Sequence, residues 1–368
     1  MRDSQSAAKP GHDIVVMGAS AGGLEVVAQI VENLPSDLPA ALFVVIHTGP
    51  DTPGVLPQIL MRRGKLPARH AMDGEKLQHG VIYCAPPDQH LLLEDGHVQV
   101  LQGPRENGFR PAIDPLFRTA ATAYATRVVG VILSGALDDG VHGLLRIKER
   151  GGVTIVQNPE EAIVDVLPLN AIKYVEVDHI ADAKEIAGLL VRLADQPAPR
   201  EVAPMSEDEV IEATVADGVH HILNSRKAGQ APSAFTCPDC GGSLWEMQNG
   251  KLVRYRCHVG HVYTADSLLM EKDGSLENVL WTALRALEES IALRYRMAER
   301  AKEGRISTIA ERYERRAQED EARARILRQF LLPEEEKTVR SGKNGREGKS
   351  APAKRKGAST ARNRKSNR

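Results

Sequence analysis

VVMGASAGGLEVV, residues 15–27, decides the fold. Apolar residues lead into a Gly-Ala-Ser-Ala-Gly-Gly turn. Leu24, Val27, Ala28, Ile30, Val31 and Leu34 then recur at helical spacing. Strand, glycine-rich turn and helix together open an α/β unit. Such a turn either cradles a phosphate or presents a nucleophile. A dinucleotide fingerprint needs Gly-x-Gly-x-x-Gly and an acidic residue near the end of the next strand. Here the central position is Ser20, and the second strand ends in Ile46-His47. A P-loop needs Gly-Lys-Ser/Thr, which the turn lacks. Gly18-x-Ser20-x-Gly22 has instead the spacing of a nucleophile elbow. The turn would present the Ser20 hydroxyl at a helix N-terminus. The amides of Ala21, Gly22 and Gly23 are the candidate donors to an oxyanion there.

Residues 12–195 continue as alternating strands and helices. Ala40–Ile46 and Val128–Leu133 are fully apolar strands, and Val153–Val156 is a further one. Pro115–Thr126 and Gly143–Arg150 read as helices. Strands apolar on both faces, with helical crossovers, predict a doubly wound, mainly parallel sheet. Val81–Cys84, His90–Leu93 and Val98–Leu101 read as short β segments around Asp-Gly turns. A serine nucleophile needs a base and a group that orients the base. His47 follows the second strand, and Asp138 and Asp139 follow the strand VVGVIL. Each of these residues also has a plain reading, as a polar strand end or an Asp-Asp-Gly turn. In an open parallel sheet, however, the carboxyl ends of the strands share the edge where ligands bind. The chain order Ser, His, Asp differs from the Ser, Asp, His of α/β-hydrolases.

These blocks resemble the catalytic domain of the chemotaxis protein-glutamate methylesterases, the CheB type. The resemblance rests on GASAGG (18–23), VIH (45–47), YCAPPDQH (83–90), RPAIDPLF (110–117), GVILSGALDDG (130–140) and GGVTIVQNP (151–159). It covers residues 12–195. It implies hydrolysis of glutamyl methyl esters on chemoreceptor cytoplasmic helices and, in some members, deamidation of glutamines. It also implies Ser20 as nucleophile, His47 as base and acid, and Asp139 as the residue that orients His47. No cofactor is implied for catalysis. Arg110 and Ala136 are the candidate groove residues, Ala136 standing where the family usually has Met. Asp138 is expected to raise the pKa of Asp139 by like-charge repulsion if the two are close. The first strand begins near residue 13, so no N-terminal receiver domain is expected. A second reading, from another class, is a signalling or docking protein that keeps the fold with weak catalysis or none. The intact Ser20, His47 and Asp139 favour the esterase.

Residues 196–233 read as a linker with a short helix over 206–223. A second module spans 234–268. Cys237-x-x-Cys240 is followed by Cys257-x-x-x-His261, and SLWEMQ and KLVRYRC flank the hairpin signal Asn249-Gly250. This is the logic of a zinc ribbon, with a structural Zn held by Cys237, Cys240, Cys257 and His261. A redox Cys-x-x-Cys fits less well, because the thioredoxin-like strand–helix unit is missing. Residues 274–332 read as two helices hinged near Gly304. The tail 333–368 is poor in large apolar residues and is expected to be disordered. From Lys337 on, 12 Lys/Arg stand against one Glu, a net +11. The rest of the chain therefore carries −12 of a total of −1. Such a tail suits weak contact with nucleic acid or an anionic surface, though a solubilising extension is the simpler reading. No apolar run matches a membrane span or a signal peptide, so a cytoplasmic protein is expected.

Overall fold

The computed structural model describes residues 11–199, 202, 204, 232–249 and 251–332. The expected linker helix over 206–223, Gly250 of the hairpin turn and the basic tail lie outside the described residues. The chain divides into two units between Val279 and Leu280.

The first unit is built on seven strands: β1 (Ile14–Ala19), β2 (Ala41–Ile46), β3 (Ala68–His70), β4 (Ile82–Cys84), β7 (Val128–Ile132), β8 (Val153–Gln157) and β9 (His179–Ala181). Their order is β3-β4-β2-β1-β7-β8-β9, and every pairing is parallel. The pleat sorts side chains to two cores. Val15, Met17 and Ala19 of β1 meet Val27, Ile30 and Val31 of α1 (Gly23–Glu32), Leu60 of α2 (Leu56–Arg63), and Ile186 and Leu190 of α6 (Ala183–Asp195). Ile14 and Val16 face the opposite layer. There they join Leu116 and Phe117 of α3 (Ile113–Tyr124), Leu144 and Ile147 of α4 (Val141–Glu149), and Leu167 of α5 (Val166–Tyr174). Burial on both faces explains why these strands read as continuous apolar runs. The sheet is thus doubly wound, as the sequence pattern predicts. The antiparallel hairpin β5 (His90–Glu94) and β6 (His97–Leu101) turns at Asp95-Gly96 and packs Leu91, Leu93 and Val98 into the second core.

The strand order reverses at β1. From β1 the chain moves to β2 and β4 on one side, and from β7 to β8 and β9 on the other. Loops after β1, β2 and β7 therefore converge at one edge, the edge at which open parallel sheets bind their ligands. Close approach at this edge is bought with glycine. A Cβ on Gly18 would lie 2.3 Å from Ile113 Cγ2, and one on Gly135 would lie 2.9 Å from Ser20 Cβ.

The same unit contains a four-stranded antiparallel sheet: β10 (Pro232–Thr236), β11 (Ser243–Asn249), β12 (Leu252–Cys257) and β13 (Val262–Thr264). Buried Leu244, Tyr263 and Leu268 form its small core with Cys237 and Cys257. Helix α7 (Ala265–Glu303) starts directly after β13, nine residues before the expected helix at 274. Thr264 explains the early start. Its hydroxyl accepts from the Ser267 N–H at 3.1 Å, and the Ser267 hydroxyl accepts from the Thr264 N–H at 2.9 Å. This reciprocal cap fixes the first turn.

In the second unit, the rest of α7 and helix α8 (Ser307–Leu331) form an antiparallel hairpin. Glu288–Arg328, Arg294–Asp320, Tyr295–Glu321 and Lys302–Glu314 pair across it, and the chain reverses at Gly304–Ile306. Among the described residues, no helix is long and apolar enough to cross a membrane.

Candidate active site

Ser20 follows β1 directly, His47 follows β2, and Asp139 ends the loop after β7. The folded chain brings all three together. The Ser20 hydroxyl stands 3.1 Å from His47 Nδ1, and His47 Nε2 stands 2.7 Å from Asp139 Oδ2. Asp139 is fully buried, and the His47 side chain is 4% exposed. A carboxylate at Nε2 holds the proton on that nitrogen and leaves the Nδ1 lone pair to accept from the serine hydroxyl.

The turn at Ser20 is locked on both sides. Its N–H donates to the Ser134 carbonyl at 3.0 Å, and its own carbonyl accepts from the Gly23 N–H at 3.0 Å. Gly23 is therefore corrected as an anion-hole donor, since its amide is spent on closing the turn. Ala21 and Gly22 make no backbone hydrogen bond through their amides among the described residues. Gly22 caps α1 at φ 76°, a conformation glycine adopts without strain.

Burial alone would raise the Asp139 pKa. The hydrogen bond and charge of His47, the Ile113 N–H at 2.6 Å and the Asn107 amide at 2.9 Å outweigh burial and hold it below the usual carboxylate range. The expectation that Asp138 raises the pKa of its neighbour is thus corrected. The carboxyls that move up are the neighbours. Burial first, then the Asp139 charge, pushes Asp114 to about 8. Burial first, then Asp266 and Asp139, pushes Asp138 to about 7, against the Thr264 hydroxyl, which donates to it at 2.7 Å. The acidic cluster keeps its negative charge on the one carboxylate that faces the imidazole.

Three contributors were not singled out in the sequence. Asn107 donates to Asp139. Phe109 stacks on His47 with ring centroids 3.6 Å apart and 11° between planes. Asp114 accepts from the Gly143 N–H at 2.7 Å. Asn107 and Phe109 lie in the loop before α3, next to the block RPAIDPLF. A buried Arg118–Glu106 pair, both bonds 2.8 Å, ties this loop to α3. His90 ties its other end, accepting from the Ala112 N–H at Nδ1 and donating from Nε2 to the Pro104 carbonyl. Arg110 is engaged by Asp88 and the Gly103 carbonyl, at 2.8 Å each. Ala136 is exposed, next to Gly135.

A second cluster lies in the antiparallel sheet. Ligand atoms of Cys237, Cys240, Cys257 and His261 all lie within 4.8 Å of one another. Cys240 and Cys257 sulfurs are 3.7 Å apart, and His261 Nδ1 lies 3.6 Å from Cys237 Sγ and 3.4 Å from Cys257 Sγ. Ligands of a tetrahedral metal at bond lengths of about 2.0–2.3 Å stand roughly 3.5–3.8 Å apart. The cluster fits a metal ion on that spacing. Asp239 sits 3.8 Å from the outward nitrogen of His261, the usual place of a carboxylate that orients a ligating imidazole.

Residues 15–190 match the family model described as CheB methylesterase. A Leptospira interrogans protein assigned as a protein-glutamate methylesterase/protein-glutamine glutaminase is 37% identical over 183 residues, 50% of this chain and 95% of that protein. The chain belongs to the CheB methylesterase family. Protein-glutamate methylesterase/protein-glutamine glutaminase 2 of Anaeromyxobacter dehalogenans is 34% identical over 192 residues, 52% of this chain and 56% of that protein. The crystal structure of the Thermotoga maritima CheB methylesterase catalytic domain is matched over 98% of its chain and 49% of this one, at 33% identity and a TM-score of 0.47.

The two raised carboxyls predict a pH signature. Below about pH 4, folded and unfolded Asp138 are both protonated. From its ordinary value of 3.8 up to about 7, the folded state keeps the proton and the unfolded state does not. Stability from this group therefore falls as pH rises, by up to about 1.4 kcal/mol per pH unit. Asp138→Asn keeps an acceptor for Thr264 and removes the titration. Urea denaturation should show the variant gaining on the wild type steadily from pH 4 to 7. A difference that does not change with pH contradicts the assignment.

Proposed function

We infer that the protein is a protein-glutamate methylesterase, a serine carboxylic-ester hydrolase. The observation that carries the reading is the continuous hydrogen-bonded line Ser20–His47–Asp139 at the switch point of the sheet, in a chain of this family. In this reading the Ser20 oxygen attacks the glutamyl ester carbonyl while its proton passes to His47 Nδ1. Asp139 balances the imidazolium that forms. The amides of Ala21 and Gly22, at the positive end of α1, receive the carbonyl oxygen as it gains charge. His47 returns the proton to the departing methoxide, methanol leaves, and an acyl-Ser20 remains. A water, deprotonated by His47, hydrolyses it and restores glutamate. The same steps on a glutamine side chain release ammonia, which makes deamidation a second activity of one site.

The proposed substrate is a methylated chemoreceptor or a similar helical signalling protein, and the proposed location is the cytoplasm. Ala136, exposed beside the Gly135 that packs on Ser20, is assigned to the substrate groove. Arg110 has the weaker claim, since Asp88 already neutralises it.

Methanol release from methylated receptor fragments tests the esterase. Wild type should release it, and Ser20→Ala should lower kcat by about 10⁴-fold or more at unchanged substrate affinity. Equal release by both proteins refutes the serine mechanism.

The four-ligand cluster is assigned a structural zinc, because three thiolates and an imidazole close a tetrahedron and leave no position for water. The zinc contributes folding energy to the small sheet and no chemistry to the ester. Elemental analysis of the purified chain should find one zinc per chain. Cys237→Ser should lose the metal and unfold the module, read as the loss of dispersed Trp245 and Tyr263 amide signals. A metal-free wild type, together with a normally folded Cys237→Ser, refutes the site.

A further inference from the structure

We propose that the Cys/His module is a working part of the esterase site: the cap of α7, built by Thr264 and Ser267, orients Asn107, and Asn107 positions the triad carboxylate Asp139. The proposal rests on the esterase reading of Ser20, His47 and Asp139.

The argument begins with the Asn107 amide. One end of it donates to Asp139 Oδ1 at 2.9 Å. The other end, Oδ1, accepts from the Thr264 N–H and from the Ser267 hydroxyl, each at 3.0 Å. An asparagine amide has two faces of nearly the same shape, so shape alone does not decide which end meets a carboxylate. A flipped amide would set its oxygen against the Asp139 oxygen, acceptor against acceptor. The two donors from the module settle the orientation. They reward an oxygen at that end and would clash electrostatically with an NH₂ group. Asn107 is 2% exposed, Thr264 1% and Ser267 0%, so water does not stand in for either donor, and each bond counts more than it would at the surface.

The contact is broader than one side chain. The Asn107 N–H donates to the Val262 carbonyl at 2.7 Å, so the loop runs beside β13 like an added strand. The residue after Gly108 in this loop is Phe109, whose ring lies on His47. The Thr264 hydroxyl also reaches Asp138, next to Asp139 in the chain. Arg254 of β12 is 2% exposed, and its charge favours the ionised forms of Glu106 and Asp114. Thus the module touches the supports of both His47 and Asp139 without supplying a reacting atom. Thr264, Ser267 and Asn107 are positioning residues. The family match covers residues 15–190 and ends before the module begins. His261, a member of the metal-fitting cluster, directly precedes β13, the strand that ends in Thr264 and leads into the cap.

The test reads the intact chain labelled with ¹⁵N-histidine. The His47 Nε2 proton, shared with Asp139, should give a downfield, slowly exchanging NMR signal that needs no substrate. Ser267→Ala removes the hydroxyl that donates to Asn107 Oδ1. It should broaden that signal and lower kcat by about tenfold or more, with KM nearly unchanged, the effect expected from losing a buried bond that leads to a charge. Thr264→Val keeps the backbone N–H that donates to Asn107 but removes the hydroxyl that holds the Ser267 N–H and donates to Asp138, so it loosens the cap and should act in the same direction. Thr264→Ser keeps that hydroxyl and should recover most of both. Metal content and thermal denaturation show whether each variant retains the module. An unchanged downfield signal in folded Thr264→Val and Ser267→Ala overturns the proposal, even if the esterase is active. A wild type that shows the signal and loses it in both variants supports the brace whatever its substrate, so failure of the esterase reading is scored separately by methanol release.

Discussion

The rest of the site depends on one buried charge. Asp139 has no solvent exposure, and an isolated carboxylate in such a place would take up a proton. It stays ionised because donors surround it: His47, the Ile113 N–H, the Asn107 amide and, more distantly, the Asp114 N–H at 3.4 Å. Two of these donors come from the start of α3, where free N–H groups and the positive helix end favour an anion. The imidazole tautomer, the direction of the serine proton and the polarity of the whole line follow from that one ionisation. Asp114 and Asp138 yield to it by holding protons more strongly than usual.

The fold delivers this charge by topology. Chain reversal at β1 places the ends of β1, β2 and β7 side by side, and each end carries one member of the line. Residues 27 and 92 positions apart in sequence thereby come within hydrogen-bond distance. The glycines at 18 and 135 let the α3 start and the loop after β7 approach closely enough to close it.

Much of this was legible in the sequence where one residue type admits one physical reading. The apolar runs of β1, β2 and β7 announced strands buried on both faces, and the glycines around Ser20 announced a sharp turn. Cys237-x-x-Cys240 with Cys257 and His261 announced a ligand set, and the four side chains do converge. What stayed hidden depends on long-range distance. Asn107 and Phe109 look like ordinary loop residues until the loop is laid between β13 and the imidazole. The Gly23 amide looks available until the turn closes on the Ser20 carbonyl. Asp138 and Asp139 are adjacent and chemically identical, and burial pushes both up, but only Asp139 has enough donors, His47, the Ile113 N–H and the Asn107 amide, to bring its pKa down, while the single Thr264 hydroxyl does not do so for Asp138. The start of α7 is not legible in the sequence because its signal, the Thr264–Ser267 cap, lies among ribbon residues and carries no helical periodicity.

The central claim is that the buried Asp139 charge, acting through His47, makes Ser20 a nucleophile. The most direct measurement is covalent trapping: react the intact protein with a phosphonofluoridate and locate the adduct by peptide mass spectrometry. The account predicts a single phosphonylated residue, Ser20, formed in the wild type and at least a hundredfold more slowly in His47→Ala and Asp139→Asn. Modification of Ser20 at the same rate in all three proteins, or an adduct placed elsewhere, would contradict it.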